Sequence, residues 1–212
     1  MESAVQIADM LVTTPARTVV DLARTLPFES AVVSGDALIR DFGVAETDLV
    51  AELTIAKNRH GVAAAKRVVA FLDAHSESAG ESRSRVLCAD LGLPTPTPQG
   101  NVYGPDGAFL GRVDFYFEGT GVLGEFDGRT KYGRLLRPGR EPGDAVFAEK
   151  VREDAMRACG FQVVRWTWQD LTTQNIAHRI LAALARDRTT HHDGHIEQAA
   201  LPTPTPLTIH RL

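Results

Sequence analysis

The residues that could do chemistry crowd into Gly111 to Lys131, GRVDFYFEGTGVLGEFDGRTK. Alternation there is strict enough to assign faces, because successive side chains of a strand point to opposite sides. Val113, Phe115 and Phe117 fall on one side, and Arg112, Asp114 and Tyr116 on the other. Glu118-Gly119-Thr120-Gly121 reads as a hairpin turn with Gly119-Thr120 at its tip. That register pairs Val113 with Phe126, Phe115 with Gly124 and Phe117 with Val122, and on the opposite face Arg112 with Asp127 and Asp114 with Glu125. Opposed carboxylates have Cβ atoms about 4.5–5.5 Å apart and repel unless something positive lies between them. With Asp127 on the same face, three carboxylates converge, an oxygen-only set that suits Mg²⁺ or Mn²⁺ and not zinc. The plainer reading is a solvated outer face, with Arg112 neutralising Asp127.

The next stretch weighs on that choice. Arg129, Lys131, Arg134, Arg137 and Arg140 follow one another with no acidic residue between Arg129 and Arg140. Such a segment seeks phosphate. An acidic metal cluster beside a basic loop is what phosphodiester chemistry requires, since the metal needs carboxylates and the polyanion needs cations.

Elements on either side must hold this hairpin in place. Thr14-Pro15 opens a helix that Pro27 stops, and further helices are expected over Glu29 to Arg40, Glu46 to Asn58 and after Gly61, so residues 1–76 read as a small all-helical region. Ser78 and Glu81 have the spacing of a capping box. They open a second domain over residues 78–186, with the order helix, three-stranded antiparallel meander, helix, strand, helix, an α/β class. Leu93 to Pro98, LPTPTP, reads as an extended linker. Asp144 caps the helix after the basic loop, with Phe147, Val151, Ala155 and Ala158 as its apolar stripe and with Glu153–Arg157 and Lys150–Asp154 as surface pairs. Phe161 to Trp166 is the fourth strand, and Leu171 to Ala185 the closing helix. Residues 187–212 read as a flexible tail, His191, His192 and His195 included.

Composition bounds the rest. A chain of 212 residues with 43% hydrophobic and 24% charged residues is that of a globular protein, and a net charge of -4 excludes a whole-surface polyanion binder. There is no apolar run of about 20 residues and no leader pattern at the amino terminus, so no membrane association is expected and a cytoplasmic location is. Cys88 and Cys159, without a CxxC pattern, read as reduced, packed thiols.

The element order, together with VDF, GEFDGRTKYG and GFQVVRW, resembles the PD-(D/E)XK nuclease-like domains related to very short patch repair endonucleases. The resemblance implies a restriction-endonuclease-like fold over residues 78–186. It also implies a metal site in which Glu81 of the helix joins Asp114 and Glu125, with Asp127 as the acidic member of the Glu-x-Asp-Gly version. Two positions depart from the pattern. Asp127 stands where the wider superfamily places a lysine, and Lys131 where the repair enzymes often have a histidine. Separately, TTPARTVVDLARTLPFESAVVSGDALIRDFG resembles the middle segment of AbiEi-type antitoxin proteins. Their amino-terminal winged helix does not precede it, which leaves a truncated chain as one expectation and a toxin as a candidate partner.

Two functions follow as expectations. One is a metal-dependent DNA endonuclease or nickase: Asp114 and Glu125 bind Mg²⁺ (or Mn²⁺), Asp127 orients a ligand or water, and Lys131 or Arg129 offsets developing charge. The other is a non-catalytic DNA-binding regulator or antitoxin-like protein that keeps the nuclease fold as a scaffold.

Overall fold

The computed structural model describes residues 3–7, 10–128, 142–173, 175–188 and 191–204. The chain divides into two units, Met1–Val86 with Ala200–Leu212, and Leu87–Ala199. The division falls at Val86/Leu87, within the helix that Ser78 and Glu81 open, and the first half of that helix bonds to Asp36 through Ser82 and Arg85.

The first unit opens with an antiparallel pair, β1 (Ala4–Ile7) and β2 (Met10–Thr13). This corrects the all-helical expectation for residues 1–76; two four-residue strands are too short to show an alternation that stands out. Helices α1 (Pro15–Thr25), α2 (Phe28–Phe42), α3 (Glu46–Ile55) and α4 (Val62–Val69) follow. Thr14 caps α1 by accepting from the Arg17 N–H, with Pro15 in the first turn. Ala16, Val19, Val20 and Ala23 are buried as their spacing requires. On α3 Val50 is 51% exposed, whereas Glu52 is buried. Helix α5 (Ala79–Asp90) starts in this unit. There Asp36 accepts from Arg85 at 2.9 Å, from Ser82 at 2.7 Å and from the Asp73 N–H at 2.8 Å. Burial pushes the Asp36 carboxyl up, against the opposing charge of Arg85.

The second unit is a mixed five-stranded sheet with helices. Its strands are β3 (Thr97–Tyr103), β4 (Phe109–Tyr116), β5 (Val122–Asp127), β6 (Gln162–Thr167) and β7 (His195–Gln198), in the order β6-β5-β4-β3-β7. Strands β3, β4 and β5 form the expected antiparallel meander, and β6 runs parallel to β5 after a crossover through α6 (Pro142–Ala158). Helices α7 (Trp168–Thr173) and α8 (Asn175–Asp187) close the unit.

Two expectations are corrected here. Residues 195–198 pair with β3 and so are a strand, not part of a flexible tail. The supposed linker supplies Thr97 and Pro98 to the start of β3. One apolar cluster joins Phe115, Phe117, Val122, Trp166, Ile176 and Ile180; a second joins Val102, Val113, Leu123, Met156 and Phe161. Phe115 and Phe117 thus share a core as their alternation predicted, whereas Val113 packs in the other cluster. Gly124 is where the sheet admits Trp166, since a Cβ there would lie 2.5 Å from the indole ring. Trp166 stacks on Phe115 with centroids 5.4 Å apart and is fully buried, a packing role. Cys88 and Cys159 are free thiols, and burial pushes the Cys88 thiol up to about 12.

Candidate functional site

Next to the turn the hairpin register is the one the sequence predicts, whereas the expected pairs Arg112–Asp127, Val113–Phe126 and Asp114–Glu125 are not register partners among the described residues. Phe115 lies opposite Gly124 and Tyr116 opposite Leu123, and the Phe117 N–H donates to the Val122 carbonyl. Gly119, with φ of 72°, supplies the left-handed residue at the turn. This register carries Asp114 and Glu125 onto neighbouring strands.

The two acids have separate partners. The Phe126 N–H donates to Asp114 Oδ2 at 2.8 Å, so Asp114 reaches across to the main chain of β5. Glu125 is held by guanidinium groups on both oxygens. Arg152 Nη2 of α6 donates to Oε1 at 2.7 Å, and Arg165 Nε of β6 donates to Oε2 at 2.6 Å. Its side chain is 13% exposed. Bonds of this kind, with both partners ionised, are among the stronger hydrogen bonds a protein makes.

These arginines belong to a wider network. Arg152 Nη2 and Arg165 Nη2 both donate to Glu149 Oε1, and Arg165 Nη2 also lies 3.0 Å from Glu153 Oε2. Glu153 pairs with Arg157 as expected, and Arg152 Nη1 bonds the Arg112 carbonyl. Burial, the largest single influence on Glu149, acts to raise its carboxyl; the hydrogen bond and charge of Arg152 and the charge of Arg165 outweigh it, and the net direction is down. Arg152 and Arg165 are both shifted upward, their carboxylate partners overcoming a burial effect that works the other way.

The geometry reverses the expected orientation of α6. Phe147 and Val151 of its apolar stripe are 69% and 51% exposed. Glu149, Arg152 and Met156 reach the sheet instead: the two charged residues bond to Glu125, Arg165 and the Arg112 carbonyl, and Met156 is buried against Leu123. Sequence reasoning missed Arg152, Arg165 and Glu149 as site residues. A signal was present for one of them. Arg165 lies between Val164 and Trp166 in a strand, so its side chain must leave by the opposite face, and a parallel neighbour in register delivers it to Glu125.

The remaining predicted residues fall as follows. Glu81 belongs to the first unit, and its carboxylate serves the capping box: Ser78 Oγ donates to Oε1 at 2.7 Å and the Glu77 N–H to Oε2 at 2.9 Å, while Ser78 Oγ accepts from the Glu81 N–H. Asp127 ends β5 with an exposed side chain. Arg112 Nε donates to Gln99 Oε1 at 2.8 Å. Arg129, Lys131, Arg134, Arg137 and Arg140 lie outside the described residues.

The carboxylates do not fit the three-acid divalent-cation site that the resemblance implies. No group of three metal-ligating side chains occurs among the described residues. The conflict that called for a cation, an acid on β4 facing an acid on β5, is resolved within the protein: two guanidinium groups supply positive charge to Glu125, and a main-chain N–H binds Asp114. A metal would have to compete with both arginines for Glu125.

Known relatives carry the comparison only part of the way. The chain is 32% identical over 122 residues to two uncharacterized proteins of Mycobacterium tuberculosis, MT2308 of strain CDC 1551 / Oshkosh and Rv2248 of strain H37Rv. The match covers 58% of this chain and 45% of each relative, so the chain spans about half the length of the curated proteins it matches. No protein-family profile matches the chain, and no solved structure matches it significantly. Among the described residues no helix is long and apolar enough to cross a membrane.

Proposed function

We propose that this chain is a nucleic-acid-binding protein whose second unit has a restriction-endonuclease-like fold serving as a scaffold, without metal-dependent hydrolysis. The observation that carries this reading is the double clamp on Glu125 by Arg152 and Arg165. Where a metallonuclease of this kind needs a carboxylate open to a cation, the charge here is already met by guanidinium groups. Support for the fold is the order of elements, an antiparallel meander followed through a helix by a strand parallel to β5. Support for the ligand is the run of five cations from Arg129 to Arg140 without an acid among them.

The test is calorimetric titration of Mg²⁺ and Mn²⁺ into the parent protein and its Glu125→Gln variant, beside salt-dependent binding of duplex DNA. The scaffold reading expects no metal-binding heat in either protein. It expects DNA affinity that falls with salt at a slope of about 0.9 per phosphate contacted.

One observation favours a second reading, the metal-dependent endonuclease. The bond from Phe126 N–H to Asp114 Oδ2 brings Asp114 to the stretch of β5 that ends in the exposed Asp127. In that reading Asp114 and Asp127 hold the ion, and Lys131 offsets charge developing on the phosphate. It expects metal-binding heat that survives Glu125→Gln and vanishes in Asp114→Ala.

A further inference from the structure

The first unit carries a concentration of positive charge formed by residues not discussed as a site so far. A recess of about 380 Å³ is lined by Thr13, Arg17, Thr18, Arg24, Thr25 and Arg59, with Asp21 at its side. Most of these come from one face of α1. Arg59 comes from the loop after α3, and that loop is fixed against α1 in two ways. Arg24 Nε donates to the His60 carbonyl at 2.9 Å, and Gly61, with φ of 80°, packs so closely that a Cβ there would lie 2.2 Å from the Arg24 carbonyl oxygen. Only glycine permits that approach.

The donor inventory of the recess exceeds its acceptors. Asp21 accepts from Arg17 Nε at 2.5 Å and from Arg24 Nη1 at 2.8 Å, so one carboxylate serves two guanidinium groups. A guanidinium has five N–H donors. Among the described residues Arg17 uses one of them, and Arg24 two. Both side chains are largely withdrawn from bulk water, at 19% and 14% exposure, so their unused donors are partly desolvated. Arg59 adds a third positive charge and makes no ion pair among the described residues, which leaves three cations against one anion. Asp21 fixes the forks of Arg17 and Arg24 in place, so a ligand would meet donors that are already oriented. A tetrahedral oxyanion, with several acceptor oxygens and a charge of one or two, matches that set; a neutral or cationic ligand does not.

We propose that this recess binds a phosphate group, and that the group belongs to a nucleic-acid backbone. The second half of the statement rests on the function proposed above; the first half does not. The site would give the helical unit a contact of its own with the ligand, independent of the Arg129–Arg140 segment.

The experiment compares thermal unfolding in inorganic phosphate and in chloride at equal ionic strength. The proteins are the parent, Arg59→Gln, Arg17→Gln and, as a charge control outside the recess, Lys66→Gln. Phosphate is expected to raise Tm of the parent and of Lys66→Gln, with the rise lost in Arg59→Gln and Arg17→Gln. Arg59→Gln breaks no ion pair among the described residues, so it reports even if Arg17→Gln folds poorly. Phosphate also stabilises proteins by exclusion from their surfaces, and an equal rise in all four proteins, or none in any, overturns the site. A parallel salt titration of duplex DNA binding identifies the bearer. A slope reduced by about one in Arg59→Gln supports the backbone. An unchanged slope alongside a lost Tm rise keeps the phosphate site and overturns its assignment to nucleic acid.

Discussion

Glu125 and Arg165 are register partners on the parallel strands β5 and β6, and Arg165 Nε donates to Glu125 Oε2 at 2.6 Å. With Arg152 arriving from α6 on the other oxygen, the acid that the hairpin pattern marks as a cation ligand is bonded on both sides by the protein itself.

Replacing Glu125 by Gln separates the two accounts by sign. If the carboxylate is clamped, the change removes one of the two acids that Arg152 and Arg165 share and costs about 1–3 kcal/mol, the lower end applying because Glu149 still pairs with both and Arg165 is partly solvated. If opposed acids dominate, the same change relieves repulsion and stabilises the metal-free protein. Urea unfolding with an unchanged m-value reads the answer; a higher midpoint in Glu125→Gln would count against the clamp.

Glu149 gives the network a pH signature. Its carboxyl is held below the ordinary 4.5 by Arg152 and Arg165, against the upward push of burial. A depressed carboxyl contributes stability that is present above the unfolded value and lost as pH falls through the folded one. The parent is therefore expected to lose stability faster than Glu149→Gln as pH drops below about 4.5. Parallel acid limbs in urea titrations from neutral pH to pH 3 would show that Glu149 plays no part in it.

How much of this was legible beforehand differs by element. The hairpin register was readable because Phe115, Gly124, Phe117 and Val122 can pair apolar to apolar in only one way, and a one-residue slip would expose them all. The orientation of α6 was not. Phe147, Val151, Ala155 and Ala158 form a better apolar stripe than the face that packs, which buries Met156 beside Arg152 and Glu149. Periodicity cannot tell a charged residue with a buried partner from one in water, and the partners of Arg152 are distant in sequence. Strand β7 was hidden for the same reason, since four residues take their order from pairing with β3, far earlier in the chain.

The strand that carries Glu125 also depends on a missing side chain. Gly124→Ala places a methyl group 2.5 Å from the Trp166 ring, in a core that includes Phe115. Overpacking of this kind costs about 1–3 kcal/mol. Thermal unfolding should show the loss together with a change in Trp166 fluorescence; a variant as stable as the parent would mean the indole moves aside freely.

In the helical unit, Arg85→Ala strands the Asp36 carboxylate, whose side chain is 1% exposed against 6% for Arg85. Ser82 and the Asp73 N–H remain bonded to it but bring no charge. The expected cost is about 3–5 kcal/mol, as for other broken buried pairs. Hydrogen exchange across α2 and α5 would locate the loss, and unchanged protection there would contradict it.

The central claim, that Glu125 is a structural acid and the domain a binding scaffold, is tested most directly on supercoiled plasmid DNA. The purified protein, with Mg²⁺ or Mn²⁺, should retard the plasmid at low salt and leave it supercoiled. Metal-dependent conversion to nicked circles by the parent, absent in Asp114→Ala, would contradict the account.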